Sequence, residues 1–457
     1  MRTFRAALAA CLVLAACQPA AERTESAMTP MMAPDTSWVA RSAIYQVFVR
    51  DFSPEGNFRG VIAGLDRIQQ AGADVIWLMP IHPIGTANRK GTLGSPYAAT
   101  DYRAINPDFG TADDFRALVD SAHARGLKVI IDFVPDHTAP DAPWVREHPD
   151  WYFRDSAGAP MVPRDAEGKL TDWTDVVQLD YGNSAVRREV TAIMRWWLQE
   201  FGIDGFRVDV AGFVPNGFWR EATPQLRAAV PRPIMLLAEW GTYDMHTAGF
   251  DLTYGWAGYR AIKAVWKGES PASALVQLAL AEQDSMPRGG MRLRFTTNHD
   301  ETAWDNPPVT IFRGAAGARA AFVAMALLPG RPMVYNGQEV ESPQKLRLFE
   351  HDPIAWDQPD ATAAREHYAR ILRLARTHPA FLRGALRAVE TSAPDDVIAY
   401  ARDSVVVLVN ARQREVRFTV SGFDVGGAHN LLTDRTQQGA TVTLPPYGAL
   451  VLERQVH

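Results

Sequence analysis

Three carboxylates, Asp209, Glu239 and Asp300, each stand at or just beyond the end of a short apolar run, and a fourth, Asp132, lies within another. Carboxyls in different surroundings hold different protonation states at one pH, which lets them divide acid and base work. Cleavage of a glycosidic bond needs such a division. One group protonates the leaving oxygen while another meets the positive charge that develops on the sugar. Asp209 suits the ionised partner, because Arg207 lies two residues before it and both side chains of a strand then face one side. A guanidinium there holds the carboxyl charged and oriented. Glu239 closes Leu236-Leu237-Ala238 and precedes Trp240, apolar surroundings that favour the protonated form an acid requires. Asn298-His299-Asp300 adds a third carboxylate beside a donor for hydroxyls. His137 offers another donor, and Tyr97, in Gly94-Ser95-Pro96-Tyr97, an aromatic floor. The structural alternatives are an Arg–Asp pair that serves only the fold, and carboxylates that only cap the helix that follows.

Bringing these groups together takes strands. Eight short apolar runs begin near Ile44, Val75, Val129, Gly205, Ile234, Phe250, Leu293 and Pro332; the first extends to Val49, the sixth covers Phe250-Asp251-Leu252 and the seventh Leu293–Thr296. Continuous apolar runs mark strands buried on both faces of a parallel sheet. Amphipathic segments lie between them. Thr111-Ala112-Asp113-Asp114 resembles a capping box that opens a helix through His123, with Gly126 closing it, and another helix is predicted over 184–200, ending at Gly202. Eight strand-plus-helix units predict an α/β fold, a (β/α)8 TIM barrel with its site at the C-terminal strand ends. A doubly wound open sheet is the alternative. Four separate strand ends, the third, fourth, fifth and seventh, then deliver carboxylates or imidazoles to one rim. The barrel is expected over 38–382, with a short excursion over 138–177 after the third strand. Short β-rich runs after about Arg383 predict a small C-terminal antiparallel β domain over 383–457.

The whole chain of 457 residues fits these two units. A net charge of −5 gives no reason to expect nucleic acid as a partner, since phosphate binding needs a basic surface. The 13 Trp and 12 Tyr exceed what core filling uses, and some are expected to stack on sugar faces. Arg2 and Arg5 precede an apolar run from Ala6 to Ala16, too short to span a membrane, ending Leu14-Ala15-Ala16-Cys17. This resembles a bacterial lipoprotein signal over 1–17, with lipidation at Cys17; a plain secretory signal is the alternative. Gln18 after the Cys points to the outer membrane, so the chain is expected to be exported and held to the membrane by its lipid alone. Cys11 and Cys17 are the only cysteines, so no disulfide or thiol chemistry follows them. Residues 18–37 read as a flexible tether.

Asp132-Phe-Val-Pro-Asp136-His137, Gly205-Phe-Arg-Val-Asp209, Ala238-Glu239-Trp240 and Thr297-Asn298-His299-Asp300 resemble the four ordered motifs of the α-amylase family of glycoside hydrolases. Gly330-Arg-Pro-Met-Val-Tyr-Asn-Gly-Gln338-Glu339 resembles a further motif at that family's eighth strand. The resemblance implies that Asp209 is the nucleophile, Glu239 the acid/base and Asp300 the carboxylate that grips the sugar. It places Tyr97, Asp132, His137, Arg207 and His299 around the sugar whose bond is cut, in a retaining mechanism on α-glucans. There are two departures. Asp136 stands where many members carry a calcium-ligating Asn, and Val210-Ala-Gly-Phe213 stands where many carry a Lys-His pair. No cofactor is expected to be required, and a structural calcium is the one metal the resemblance leaves open. Transglycosylation and simple glucan binding are the competing functions, and a monomer is the expected state.

Overall fold

The computed structural model describes residues 38–454; the expected signal and tether over 1–37, with Cys17, lie outside the described residues. Eight parallel strands close a barrel in chain order. They are β1 (Ile44–Val47), β2 (Val75–Leu78), β3 (Lys128–Phe133), β4 (Gly205–Val208), β5 (Met235–Ala238), β6 (Leu252–Tyr254), β7 (Met291–Arg294) and β8 (Arg331–Tyr335), which pairs back onto β1. The strand alternation sets two cores. Ile44, Val75, Trp77, Ile130, Met235 and Leu237 fill the interior of the ring, while Tyr45, Ile76, Val129 and Ile131 face the surrounding helices. Asp132 continues the inward series of Ile130, and Arg207 lies opposite it in register. Gly205, at φ +148°, lets β4 approach β5, since a Cβ there would meet the Met235 carbonyl oxygen at 2.0 Å.

Helices pack outside. Thr111 caps α1 (Ala112–Ala124) in a reciprocal capping box with Asp114. The predicted helix over 184–200 is α2 (Ser184–Glu200), which buries Val190, Ile193, Met194 and Trp197. The excursion is anchored where His137–Thr138 pairs antiparallel with Val177–Gln178.

Three strand boundaries differ from the sequence expectation. β1 stops at Val47, and Val49–Phe52 turns into a short helix. β6 and β7 are each displaced by two residues from the expected runs. The cause in β7 is charge inside the protein: Arg292 and Arg294 lie within the strand and pair with buried Glu282 at 3.4 and 2.7 Å. An apolar run could not mark such a strand.

Beyond the barrel, β9 (Leu386–Ala388), β10 (Val397–Arg402), β11 (Val405–Asn410), β12 (Val416–Ser421), β13 (Thr441–Leu444) and β14 (Ala449–Glu453) build two antiparallel sheets. One face of the larger sheet, with Ile398, Tyr400, Val405 and Val407, packs on the barrel's helical layer. The other, with Val397, Ala399, Val406 and Leu408, packs on the smaller sheet. Tyr400 donates to the Ala324 carbonyl at 3.0 Å, and Arg402 donates to those of Leu327 and Phe381, each at 3.1 Å.

Candidate active site

Arg207 is the centre of the rim. Its Nη1 donates to Asp132 Oδ1 and to Asp209 Oδ1, each at 2.8 Å, and its Nε donates to the Tyr254 hydroxyl at 3.2 Å. Its Nη2 meets Glu239 Oε1 at 2.7 Å, an ion pair without the alignment of a hydrogen bond. The guanidinium and the Asp132 side chain are fully buried, whereas Asp209 and Glu239 keep 9% and 12% of their side-chain surface. One cation thus faces three carboxylates. Burial, with Glu239 next, pushes the Asp209 carboxyl above the usual range against the pull of Arg207. Burial likewise raises Asp132 to about 7. Against the opposing effect of burial, Asp132 and Glu239, with Tyr254 and Tyr97 after them, hold Arg207 well above its ordinary value.

The expectation for Glu239 needs correction. Its carboxyl does not rest in apolar surroundings. It is held by Arg207 and by the backbone N–H of Val210, which donates to Oε2 at 2.9 Å. Val210 takes φ +34° and ψ +46°, a left-handed conformation rare for a β-branched residue. Trp240 supplies the apolar part by lying over Gly212, where a Cβ would meet its ring at 2.1 Å.

His299 and Tyr97 form a second group. Their rings stack at 5.4 Å, and the Tyr97 hydroxyl lies 2.7 Å from His299 Nε2 and donates to Asp132 Oδ2 at 3.1 Å. Tyr97 is therefore a hydrogen-bonding wall as well as a floor. Burial and the charge of Arg207 lower His299 to about 3, so the imidazole is neutral. Gln46 Nε2 reaches His299 Nδ1 at 2.7 Å, which leaves the hydrogen on Nε2, facing Tyr97 and, at 3.3 Å, Asp300 Oδ2. Asp300 is the most open of the carboxylates here, with 34% of its side chain exposed, yet burial still raises its carboxyl. His137 stands one step outside this network. It pairs with Asp136 at 3.2 Å and turns its ring edge to Trp173.

Gln46, Trp77 and Tyr254 escaped the sequence reading. Trp77 donates to Asp132 Oδ2 at 3.2 Å from inside an ordinary apolar run. Tyr254 ends β6, two residues beyond the expected strand. Gln46 is a lone polar residue in β1 and would have been the visible signal. The eighth-strand motif works structurally: Asn336 accepts from the Phe48 N–H, Gln338 donates to Thr296, and Glu339 accepts from the Tyr45 hydroxyl, so β8 is tied to its neighbours. Where the Lys-His pair is missing, Phe213 stacks on Trp173 at 5.9 Å and meets Trp240 edge-on at 5.7 Å. The loops after β3, β4 and β5 thereby share an aromatic wall.

Such a ring of carboxylates about one buried arginine, at the C-terminal end of a (β/α)8 barrel, is the arrangement of an enzyme rather than of a packing core. The profile described as alpha amylase, catalytic domain, matches residues 32–245. The crystal structure of an alpha-amylase from Lactobacillus plantarum superposes with a TM-score of 0.79 at 32% identity, covering 91% of this chain and 99% of that one. The chain belongs to the α-amylase family. Alpha-amylase MalA of Haloarcula japonica is 31% identical over 408 residues, 84% of this chain, which spans 57% of that protein's length. An alpha-1,4-glucan:maltose-1-phosphate maltosyltransferase of Cereibacter sphaeroides is 29% identical over 421 residues, 85% of this chain and 68% of the relative.

Proposed function

We propose that this protein is an exported glycoside hydrolase that cleaves α-1,4-glucosidic bonds in starch-like glucans with retention of configuration. The observation that carries the reading is the shared contact of Asp209 and Glu239 with adjacent nitrogens of Arg207. It keeps the two carboxyls within a guanidinium's reach of each other, the short separation that a double displacement uses. Burial and Glu239 favour a proton on Asp209, so the reaction runs from the form in which the pair's one proton sits on Glu239 and Arg207 holds Asp209 ionised. Asp209 then attacks the anomeric carbon as Glu239 gives that proton to the leaving oxygen. The ester at Asp209 is then opened by a water that Glu239 deprotonates. In the first step Asp209 loses its negative charge and Glu239 gains one. The charge moves across Arg207 rather than away from it, so the guanidinium needs no reorganisation. Asp132 anchors Arg207 throughout. Neutral His299, Tyr97 and Asp300 remain to meet the sugar's hydroxyls.

Incubation with amylose, pullulan, cyclodextrin and maltotriose, with products followed over time, tests the reading. Release of reducing ends of α configuration supports it, and intact glucans after long incubation would overturn it. Transfer is the second reading, favoured by the maltosyltransferase relative and by the aromatic wall of Trp173, Phe213 and Trp240, which suits a sugar acceptor better than water. Products longer than the substrate would select it.

Asp136 does not fit a calcium site. Its Oδ1 accepts from Gln178 Nε2 at 3.0 Å and its Oδ2 faces His137 Nδ1, so both oxygens are spent on N–H donors rather than offered to a cation. Calcium wants six to eight oxygens. Among the described residues no three His, Cys, Asp or Glu side chains gather to hold a metal. The fold is proposed to be independent of calcium here. Attachment of lipid at Cys17, holding the enzyme at the outer membrane, completes the reading; labelled palmitate should enter the wild type and not Cys17→Ser, and labelling of that variant would refute it.

A further inference from the structure

Trp304 is the most exposed large apolar side chain among the described residues, at 64%. Leaving an indole ring in water is costly, and a surface tryptophan serving only the fold would be covered. It sits on a π-helical turn, Glu301–Asp305, directly after Asp300; such turns recur at functional sites. The turn is held on both flanks. Lys263 reaches Asp305 at 2.6 Å and Glu301 at 3.5 Å. Phe349 meets the Trp304 ring edge-on at 5.7 Å, and both Phe349 and Tyr97 pack against one apolar cluster. The indole is thus exposed and fixed in place, and its side-chain hydrogen bond draws the Asp300 carboxyl down against the effect of burial.

Its position round the ring decides which sugar it meets. Trp304 follows β7, Phe349 follows β8, and the loop after β2 joins them where the Leu93 N–H donates to the Phe349 carbonyl at 3.0 Å. Glu239 and Phe213 lie on the other half, after β5 and β4. An acid must stand beside the oxygen it protonates, so that half receives the leaving group. The half carrying Trp304 therefore faces the sugars that stay on the enzyme.

We propose that the Trp304 ring is the stacking platform for the glucosyl unit next to the one whose bond is cut, on the glycone side. It sets a preference for donors of two or more units. The inference rests on the α-glucan reading above. Its test is the ratio of kcat/KM for an aryl α-maltotrioside to that for an aryl α-glucoside, which reaches no such platform. Trp304→Ala should lower this ratio about tenfold, the scale of one aromatic stacking contact, chiefly by raising KM for the trioside. Trp304→Phe, which keeps a ring and loses the N–H, should restore most of it. An unchanged ratio in Trp304→Ala, or a Phe variant as impaired as the Ala variant, would overturn the platform while leaving the hydrolase reading intact. A wild type inactive on both glycosides and on amylose would overturn the α-glucan reading, and the platform with it.

Discussion

The backbone N–H of Val210 donates to the Glu239 carboxyl at 2.9 Å from a left-handed conformation that valine does not favour. The residue after Asp209 is bent so that its amide serves the neighbouring strand's carboxyl, and the bend costs about 1–2 kcal/mol for an L residue. Val210→Gly keeps the N–H and removes that strain, while the freer unfolded chain takes back about 0.4–1 kcal/mol. The variant should be as stable as wild type or slightly more so in denaturant unfolding. A loss of more than about 1 kcal/mol would show that the side chain, not the amide, is what matters.

Asp209→Asn should fold and lose at least roughly 10³-fold in turnover, as removal of one essential group in such sites commonly costs. The asparagine can still accept from Arg207, so the fold is spared while the ester cannot form. More than about a tenth of wild-type turnover, in protein free of contaminating enzyme, would remove Asp209 from its role.

Glu239→Gln should discriminate between substrates. Glucans have a poor leaving group and need the proton, whereas activated aryl glycosides need little of it. The loss on amylose should therefore far exceed the loss on a nitrophenyl glycoside in the glycosylation step. Equal losses would argue that Glu239 serves only to balance Arg207.

Asp132 gives a pH prediction with a definite sign. Burial pushes its carboxyl to about 7 in the fold, against about 3.9 in an unfolded chain. Between these values the native state holds a proton that the unfolded state has released. The stability this contributes is complete below the unfolded value and is lost as pH rises through about 7, at up to roughly 1.4 kcal/mol per unit. Asp132→Asn lacks this dependence, so its stability relative to wild type should improve from pH 5 to pH 8. Unfolding curves of both proteins at the two pH values decide it; a difference that stays constant would mean Arg207 keeps Asp132 ionised throughout.

Thermal unfolding with EDTA and with excess calcium tests the account of Asp136. A ligand bound only to the native state raises stability by mass action. The expected shift is nil, and a fall of more than a few degrees in EDTA, with activity restored by calcium, would contradict it.

Much of this was legible in the residues. β2, buried on both faces, read as an unbroken apolar run and β3 as one interrupted by Asp132, and Thr111 and Gly126 marked the ends of their helix. Asp132, Arg207, Asp209, Glu239, Tyr97, His299 and Asp300 are gathered at one rim, as the alternation of strand ends implied. What escaped was polar matter inside the barrel. Arg292 and Arg294 interrupt β7 because Glu282 neutralises them from a helix. Gln46 was passed over as one polar residue in the first run, and Tyr254 fell beyond a misplaced strand. The surroundings of Glu239 were misjudged because local sequence shows Leu237 and Trp240 but not the Val210 amide or the guanidinium arriving from β4. His137 faces Asp136 for a similar reason: its partner is set by how the excursion folds back through Gln178.

The larger sheet of the second unit bears on synthesis. β11 lies between β10 and β14, pairing Val405–Val409 with Ala449–Glu453, so the layer covering the barrel's helices is finished by almost the last residues described. A nascent chain emerging from the ribosome has all eight barrel strands long before it has β14. During that interval the apolar face of the helix carrying Ala324, on which Tyr400 donates to the Ala324 carbonyl, lacks part of its cover, and partly built sheets with open edges are prone to associate. The barrel's outer helical layer, though encoded first, completes its cover only when β14 arrives, and ribosome-arrested chains stopped before β14 should be more protease-sensitive than chains that include it.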